Sequence, residues 1–463
     1  MGDTRDLLRR TADLAADFLD TLDSRPVFPS ATPEELRAAL GGPLPDESVD
    51  AEQVIEELVA TAEPGVVAMP SGRYFGFVIG GAVPVSVAAD WLTTAWDQNA
   101  GLYVGGPSAA VAEEVAGAWL ADLLGIPPEA SFAFVTGSQM AHVTALAAAR
   151  HQVLAQAGWD VRDGGLAGAP PIRVLLGAKS HVTVERALRL LGIGRSALVG
   201  VPVDGQGRML VEPFRATLSE GRGPTIVCVQ AGEVNTGSFD PLAELVPAAR
   251  ETGAWVHVDG AFGLWAAASP RLRHLVAGAE LADSWSVDAH KWLNVPYDSG
   301  LAFCRHAEAH RAAIGVSADY LIQDDRGLRD QVDWTPEFSR RARGFATYAA
   351  LRSLGRRGVV DMIERSCEHA RRLADGLVEQ LGVELLNEVA LNQVLFRFES
   401  DERTEEVLQR VQESGDAWMS GTLWDERRAI RLSVSNWQTS EEDVERTLAA
   451  FRAAVYAGQA PAR

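Results

Sequence analysis

Lysine is almost missing from this chain. Of 42 basic residues, only Lys179 and Lys291 are lysines, and every other basic position is arginine. Cysteine is scarce as well: Cys228, Cys304 and Cys367 stand far apart without a Cys-x-x-Cys pair. That excludes a disulfide framework and points to inert, buried thiols in a reducing compartment. No apolar run reaches the roughly 18 residues of a membrane span, and the N-terminus is charged and amphipathic, so no signal peptide and no membrane partner is expected. Met1-Gly2 is followed by Asp6 where a myristoylation signal needs Ser or Thr. Positive charge is short overall, with a formal net charge of −21 and no basic cluster, which argues against a nucleic-acid partner. The expected location is the cytoplasm.

What is present reads as a soluble globular protein. The length of 463, with 47% hydrophobic and 23% charged residues, suits two or three domains with ample core. No internal repeat or low-complexity tract interrupts it.

Scarcity makes Lys291 conspicuous in Ser284-Trp285-Ser286-Val287-Asp288-Ala289-His290-Lys291-Trp292. Arginine replaces lysine on a surface at little cost, but its guanidinium cannot form an imine with an aldehyde, whereas a desolvated lysine amine can. Alone, the residue is equally a buried structural lysine. A second stretch decides between the two readings: Ala254-Trp255-Val256-His257-Val258-Asp259-Gly260-Ala261-Phe262-Gly263 is a short apolar strand ending in an acid and a turn. An acid at a strand end, followed by a lysine on the next strand–loop unit, suits pyridoxal phosphate (PLP). The lysine holds the aldehyde, and the acid keeps the pyridine nitrogen protonated so that the ring draws electrons.

On His257-Val258-Asp259, Asp283-Ser284-Trp285 and His290-Lys291-Trp292, in this order and spacing, the chain resembles the group II PLP-dependent amino-acid decarboxylases. The resemblance runs from about Arg25 to the C-terminus. It implies a fold-type-I α/β architecture: a mixed, mostly parallel seven-stranded sheet, a helical N-terminal arm over 1–80, a large PLP-binding domain over 81–355 and a small α+β domain over 356–463. It also implies a homodimer with shared active sites.

Taken in order, helices are expected over 4–23, 33–40 and 50–61, the last capped by Asp50. Residues 71–106 are rich in Gly and aromatics and read as long loops that build the substrate pocket in the family. Trp91 and Trp119 read as core residues. Where aromatic decarboxylases have bulkier residues and a Pro-Thr pair, this chain has Val78-Ile79-Gly80-Gly81. Helix 107–124 and strand 131–136 lead to a long helix opening at Gly137-Ser138-Gln139. Free N–H groups and the helix dipole make such an opening an anion site, and the resemblance makes these three the phosphate ligands.

Strand 172–178 ends near Lys179 and His181. The resemblance lays His181 on the pyridine ring; a helix-capping histidine is the plainer alternative. Lys179 is the rival for imine formation. Strands over 197–203 and 224–231 precede Val234 and Asn235. Val234 stands where relatives place a cofactor-contacting threonine, so Asn235 is expected to supply that bond. Asp240 is expected to cap the next helix or to support the ring-binding acid. Asp259 takes the ring nitrogen, with Ala261 on the face opposite His181. His290 matches a phosphate ligand. Asp288 stands where relatives often carry Asn, and would repel a phosphate unless turned to another donor.

After strand 299–304, Tyr320 matches the family's loop tyrosine, which protonates the carbanion once carbon dioxide has left; aldehyde-forming relatives carry Phe there. Helices over 340–354 and 359–381 follow, then strands 383–387, 393–399 and 429–434 with helices 402–414 and 440–456. The implied function is decarboxylation of an L-amino acid, aromatic or apolar, to the amine. The same constellation also serves aminotransferases, carbon–carbon lyases and aldehyde-forming enzymes, and a colourless binding scaffold is the non-enzyme alternative. No metal site is expected.

Overall fold

The computed structural model describes residues 4–316 and 327–457. Tyr320 therefore lies outside the described residues. Its organising element is a seven-stranded sheet made of β1 (Ser131–Val135), β2 (Arg173–Gly177), β3 (Leu198–Val201), β4 (Thr225–Gln230), β5 (Trp255–Asp259), β6 (Ser284–Asp288) and β7 (Gly300–Cys304), in the order β1-β7-β6-β5-β4-β2-β3. β7 runs antiparallel to both its neighbours, and the other strands run in one direction. Every residue of β4, β5, β6 and β7 is buried. Both faces are therefore covered, which is why these strands read as near-continuous apolar runs rather than alternating ones. In such a sheet the carboxyl ends of neighbouring parallel strands line up and form the natural ligand crevice. The register sets Gln230 opposite Asp259, and Asp259 opposite Ser286.

One close approach shapes that crevice. A Cβ on Gly300 would sit 2.5 Å from the Cα of Gly137, so a glycine at the start of β7 lets the opening of the helix after β1 press against it. That helix, Ser138–Gln156, carries a buried stripe from Ala141 through Leu154 and lies across β5, β6 and β7.

A second, four-stranded antiparallel sheet holds Glu384–Leu385, Gln393–Arg397, Ser420–Trp424 and Arg427–Ser433, backed by helices Asp401–Ser414 and Glu441–Tyr456. Strand 420–424 was not foreseen, because its burial alternates weakly and Gly421 interrupts it. The helical run Gly344–Leu381 joins the two sheets and breaks at Gly355, which takes φ +59°, a left-handed conformation that suits glycine.

The N-terminal arm comprises Thr4–Asp20, Pro33–Leu40 and Ala51–Ala62, none of which has a buried residue. Asp50 caps the third through the Glu52 N–H at 3.1 Å. Its anchor is Arg73, 1% exposed, whose guanidinium donates to the carbonyls of Leu22, Asp23 and Arg25 on one side and Asp416 on the other. Within 71–106, expected as loops, Pro84–Trp96 is a helix started by Pro84 at its first turn. Trp91 and Trp119 are not core residues: they are 47% and 39% exposed, and Leu92 and Trp96 are exposed as well. No helix among the described residues is long and apolar enough to cross a membrane.

Candidate active site

The carboxyl ends of β5 and β6, the opening of helix Ser138–Gln156 and the residue before helix Val182–Leu190 enclose one cavity of about 350 Å³. It is lined by Gly137, Ser138, Gln139, His181, Asp259, Ala261, Asp288, His290 and Lys291, together with Thr136, Thr183, Gly232, Val234 and Phe262. Residues as far apart in sequence as Thr136 and Lys291 meet there because parallel strands end side by side.

Lys291 sits on the single turn Ala289–Trp292 that follows β6. Ala289 and His290 both donate their N–H to the Ser299 carbonyl at 3.1 Å, which pins this turn to the start of β7. The Nζ of Lys291 is 3.0 Å from Asp288 Oδ2. The other carboxylate oxygen of Asp288 accepts the Ser138 N–H at 2.6 Å. Burial pushes the Asp288 carboxyl up, but Lys291, His290 and that N–H outweigh it, so its pKa falls below the ordinary carboxylate value. The acid thus sits among three donors.

His290 takes the Ser299 N–H on Nδ1 at 3.1 Å. That nitrogen is therefore the lone pair of a neutral ring, and the proton is on Nε2, which lies 3.6 Å from Asp288 Oδ1. Burial holds the His290 pKa below its ordinary value.

Asp259 is 7% exposed. Burial pushes its carboxyl up, while His142, His181 and Lys291 together pull it further down, so it stays ionised. Ala261, two residues on, donates its N–H to Asp259 Oδ1 at 3.3 Å. His181 both lines the cavity and caps its helix: its Nδ1 accepts the Thr183 N–H at 3.4 Å and lies 2.7 Å from Thr183 Oγ1, and its own N–H donates to Gln230 Oε1 at 3.0 Å. The two readings of this histidine are therefore compatible.

Two expectations need correction, and one rival drops out. Asn235 does not line the cavity: its amide donates to Glu233 Oε1 at 2.9 Å and its oxygen accepts from Thr422 Oγ1 at 3.0 Å, and the side chain exposed there is Val234. Asp240 neither caps a helix nor touches Asp259; it accepts the N–H groups of Met209 and Gln230 at 2.7 Å each. Lys179 is no rival, since its Nζ pairs with Asp425 at 2.9 Å and lies over the Trp424 ring, away from the cavity.

Sequence reasoning missed His142, fully buried with Nε2 3.6 Å from Asp259 Oδ2, and Arg431. The Arg431 guanidinium donates to the Val234 carbonyl at 3.0 Å, keeps a buried Nε–H without a partner, and its charge reaches His181. An arginine in a strand of the distant small sheet carries no local signal of this.

The donor set suits one kind of guest. An amine, a buried ionised acid, a half-buried imidazole and a helix opening with an orphaned Ser138 hydroxyl fit the aldehyde, ring nitrogen, ring face and phosphate of PLP. The volume suits a small cofactor. Fold and cavity together define a fold-type-I PLP enzyme.

Comparison with known proteins narrows this class. A family model described as the pyridoxal-dependent decarboxylase conserved domain matches residues 33–399, and the chain belongs to that family. It is a PLP-dependent amino-acid decarboxylase. It is 26% identical to the aromatic-L-amino-acid decarboxylase of Bacillus atrophaeus, over 95% of this chain and 93% of that one. It is 30% identical to the L-2,4-diaminobutyrate decarboxylase of Rhizobium meliloti, over 80% and 75%. Among solved structures, Oryza sativa TDC with PLP and tryptamine superposes with a TM-score of 0.92 at 23% identity, over 99% of this chain and 98% of that one.

Proposed function

We propose that the chain decarboxylates an L-amino acid with an aromatic or apolar side chain to the corresponding amine, and that it works as a homodimer. The observation that carries the chemistry is the meeting of Lys291, Asp259, His181 and the Ser138 helix opening in one cavity. PLP, when bound, withdraws electrons from the bonds at the Cα of the attached amino acid. Lys291 would hold its aldehyde and yield it to the incoming amine. Asp259, ionised and buried, would hold the proton on the ring nitrogen. His181 would cover one ring face and Ala261 the other. Gly137, Ser138, Gln139 and His290 would take the phosphate, and Asp288 would orient Lys291 beside it. Arg431, with its unpartnered N–H, is a fixed cation suited to a substrate carboxylate. Tyr320 is the proposed donor of the proton to Cα.

The side-chain preference follows from where positive charge is spent. Arg73 is the only basic residue within 71–106, and its guanidinium is committed to backbone carbonyls. Gly80 packs so closely under the Lys291 carbonyl that a Cβ would lie 2.0 Å from it, while Val234 and Phe262 give the cavity apolar walls. The dimer reading is supported by the exposed Trp91, Leu92, Trp96 and Val111, and by an N-terminal helix without a buried residue despite its amphipathic pattern.

The test is incubation of the PLP-loaded protein with single amino acids while carbon dioxide and amine are measured. Release with aromatic or apolar substrates is expected. Amino-group transfer to a keto acid without carbon dioxide would overturn the reading.

A further inference from the structure

A file of buried polar side chains leads through the core to Asp259. Trp255 Nε1 donates to Ser284 Oγ at 2.9 Å. Ser284 Oγ lies 2.9 Å from His257 Nδ1, and His257 Nε2 lies 2.9 Å from His142 Nδ1. His142 Nε2 then faces Asp259 Oδ2 at 3.6 Å and has no other partner. Ser284, His257 and His142 are all 0% exposed. The file follows from strand geometry: Trp255, His257 and Asp259 alternate along β5 and share one face, and the register sets Ser284 of β6 opposite His257. His142 stands one helical turn beyond Ser138.

The two ends assign every proton between them. An indole N–H only donates, and an ionised carboxylate only accepts. If Ser284 donates its hydroxyl to His257 Nδ1, then His257 donates Nε2–H to His142 Nδ1, and His142 directs Nε2–H at Asp259. Each group then donates once toward the acid. With the opposite polarity, Ser284 would accept from both Trp255 and His257, leaving its hydroxyl proton without an acceptor. His142 would then turn a bare lone pair on a carboxylate oxygen. A buried polar group without a partner costs about 1–3 kcal/mol, so that polarity is disfavoured twice.

We propose that Trp255, Ser284, His257 and His142 form a one-way hydrogen-bond chain whose last member, His142, is the positioning residue that aims a neutral imidazole N–H at Asp259 across 3.6 Å. This rests on the reading that Asp259 meets the ring nitrogen of the cofactor. Neutrality is the point of the arrangement. A charged imidazolium would cancel the field of Asp259, whereas a neutral N–H fixes the carboxylate and leaves it a full negative charge with which to hold the ring proton. Burial lowers the pKa of both histidines, that of His257 to about 3, in keeping with two uncharged rings.

The test has two arms. In ¹⁵N-histidine spectra of the PLP-loaded wild-type protein, two buried rings are expected as neutral Nε2–H tautomers at neutral pH. An imidazolium or an Nδ1–H tautomer for His142 or His257 overturns this hydrogen-bond chain without calling on any variant to fold. In the second arm, His142→Leu, His142→Asn and Asp259→Asn are titrated with PLP and with an analogue bearing C–H in place of the ring nitrogen. His142→Leu should weaken PLP binding by about 10-fold and leave the analogue unchanged. Asn at position 142 offers an N–H to Asp259 and an oxygen to His257, so His142→Asn should restore most of the loss. Equal losses for both ligands in His142→Leu would mean packing alone and overturn the proposal. Should Asp259→Asn also treat both ligands alike, it is the placement of Asp259 at the ring nitrogen that fails.

Discussion

The Ser138 N–H, at the opening of its helix, donates to Asp288 Oδ1 at 2.6 Å, so the chain brings its own carboxylate to the helix terminus expected to receive a phosphate. Helix openings favour a single anion through their free N–H groups and dipole. A carboxylate and a phosphate there compete for the same donors and repel one another. Asp288→Asn removes that charge while keeping an acceptor for Ser138. The variant should therefore bind PLP about 10-fold more tightly at low salt, with a smaller gain at high salt, as read by fluorescence titration of the apoprotein. Weaker binding would show that Asp288 chiefly holds Lys291 in place through their 3.0 Å contact.

The two lysines give a clean control. Lys179 pairs with Asp425 and covers Trp424, a role that arginine fills as well, so Lys179→Arg should keep full activity and cofactor colour. Lys291→Arg should lose both, since a guanidinium cannot carry the aldehyde. Borohydride treatment followed by peptide mass spectrometry should place the added pyridoxyl mass on Lys291 alone.

How far the sequence could be read follows from the same residues. The strands of the large sheet were legible because they are short apolar runs closed by turns, and Asp259 and Lys291 because the first ends one of them and the second stands on the turn that follows another. Helix Pro84–Trp96 was hidden by the Gly-rich stretch before it, and Trp91 and Trp119 were misassigned because an apolar surface looks like a core in one dimension. Asn235 failed for a different reason: a backbone turn held by Glu233 decides whether residue 234 or 235 faces the cavity, and spacing alone does not encode that turn. Arg431 meets Val234 and His142 meets Asp259 across long sequence separations, where only packing brings them together.

Stability should fall as the pH is lowered through the histidine range. His142, His257 and His310 are fully buried, and burial lowers their pKa values, to about 3 for His257 and about 4 for His310. Above about 6.5 neither the folded nor the unfolded chain protonates them, and they leave stability unchanged. Below it the unfolded chain takes up protons that the folded one refuses, at a cost of about 1.4 kcal/mol per histidine per pH unit until each folded pKa is reached. Asp259 and Asp288, with lowered pKa values, add stability above about 4 that is lost as the pH falls further. Urea unfolding of the apoprotein at pH 7.5, 6 and 5 should show a midpoint falling in steps. A midpoint constant over that range would contradict the assignment of neutral buried rings.

Glu113 and Arg340 form a pair 2.8 Å apart, with side chains 2% and 1% exposed. Arg340 also donates to the carbonyls of Ala100 and Phe134 at 2.8 Å, tying the loop before helix Pro107–Leu123 to β1. Glu113→Ala strands a buried guanidinium and should cost about 3–5 kcal/mol. Glu34→Ala, which opens an exposed pair with Arg37, should cost no more than about 1 kcal/mol. Thermal melts of the two variants side by side provide the comparison.

As the proposed proton donor, Tyr320 is expected to control the fate of the product rather than the loss of carbon dioxide. Release of carbon dioxide needs electron withdrawal by the cofactor, for which Lys291 and Asp259 are the proposed residues. Return of a proton to Cα needs a donor with an O–H, and phenylalanine at this position has none. The Tyr320→Phe variant should therefore bind PLP as tightly as the wild type and release carbon dioxide at a comparable rate. Its amine yield should fall by about 10²-fold or more, the usual worth of a positioned acid, with aldehyde appearing in proportion when oxygen is present. Simultaneous measurement of carbon dioxide, amine and aldehyde decides the matter, and an amine yield equal to that of the wild type would remove Tyr320 from the reaction.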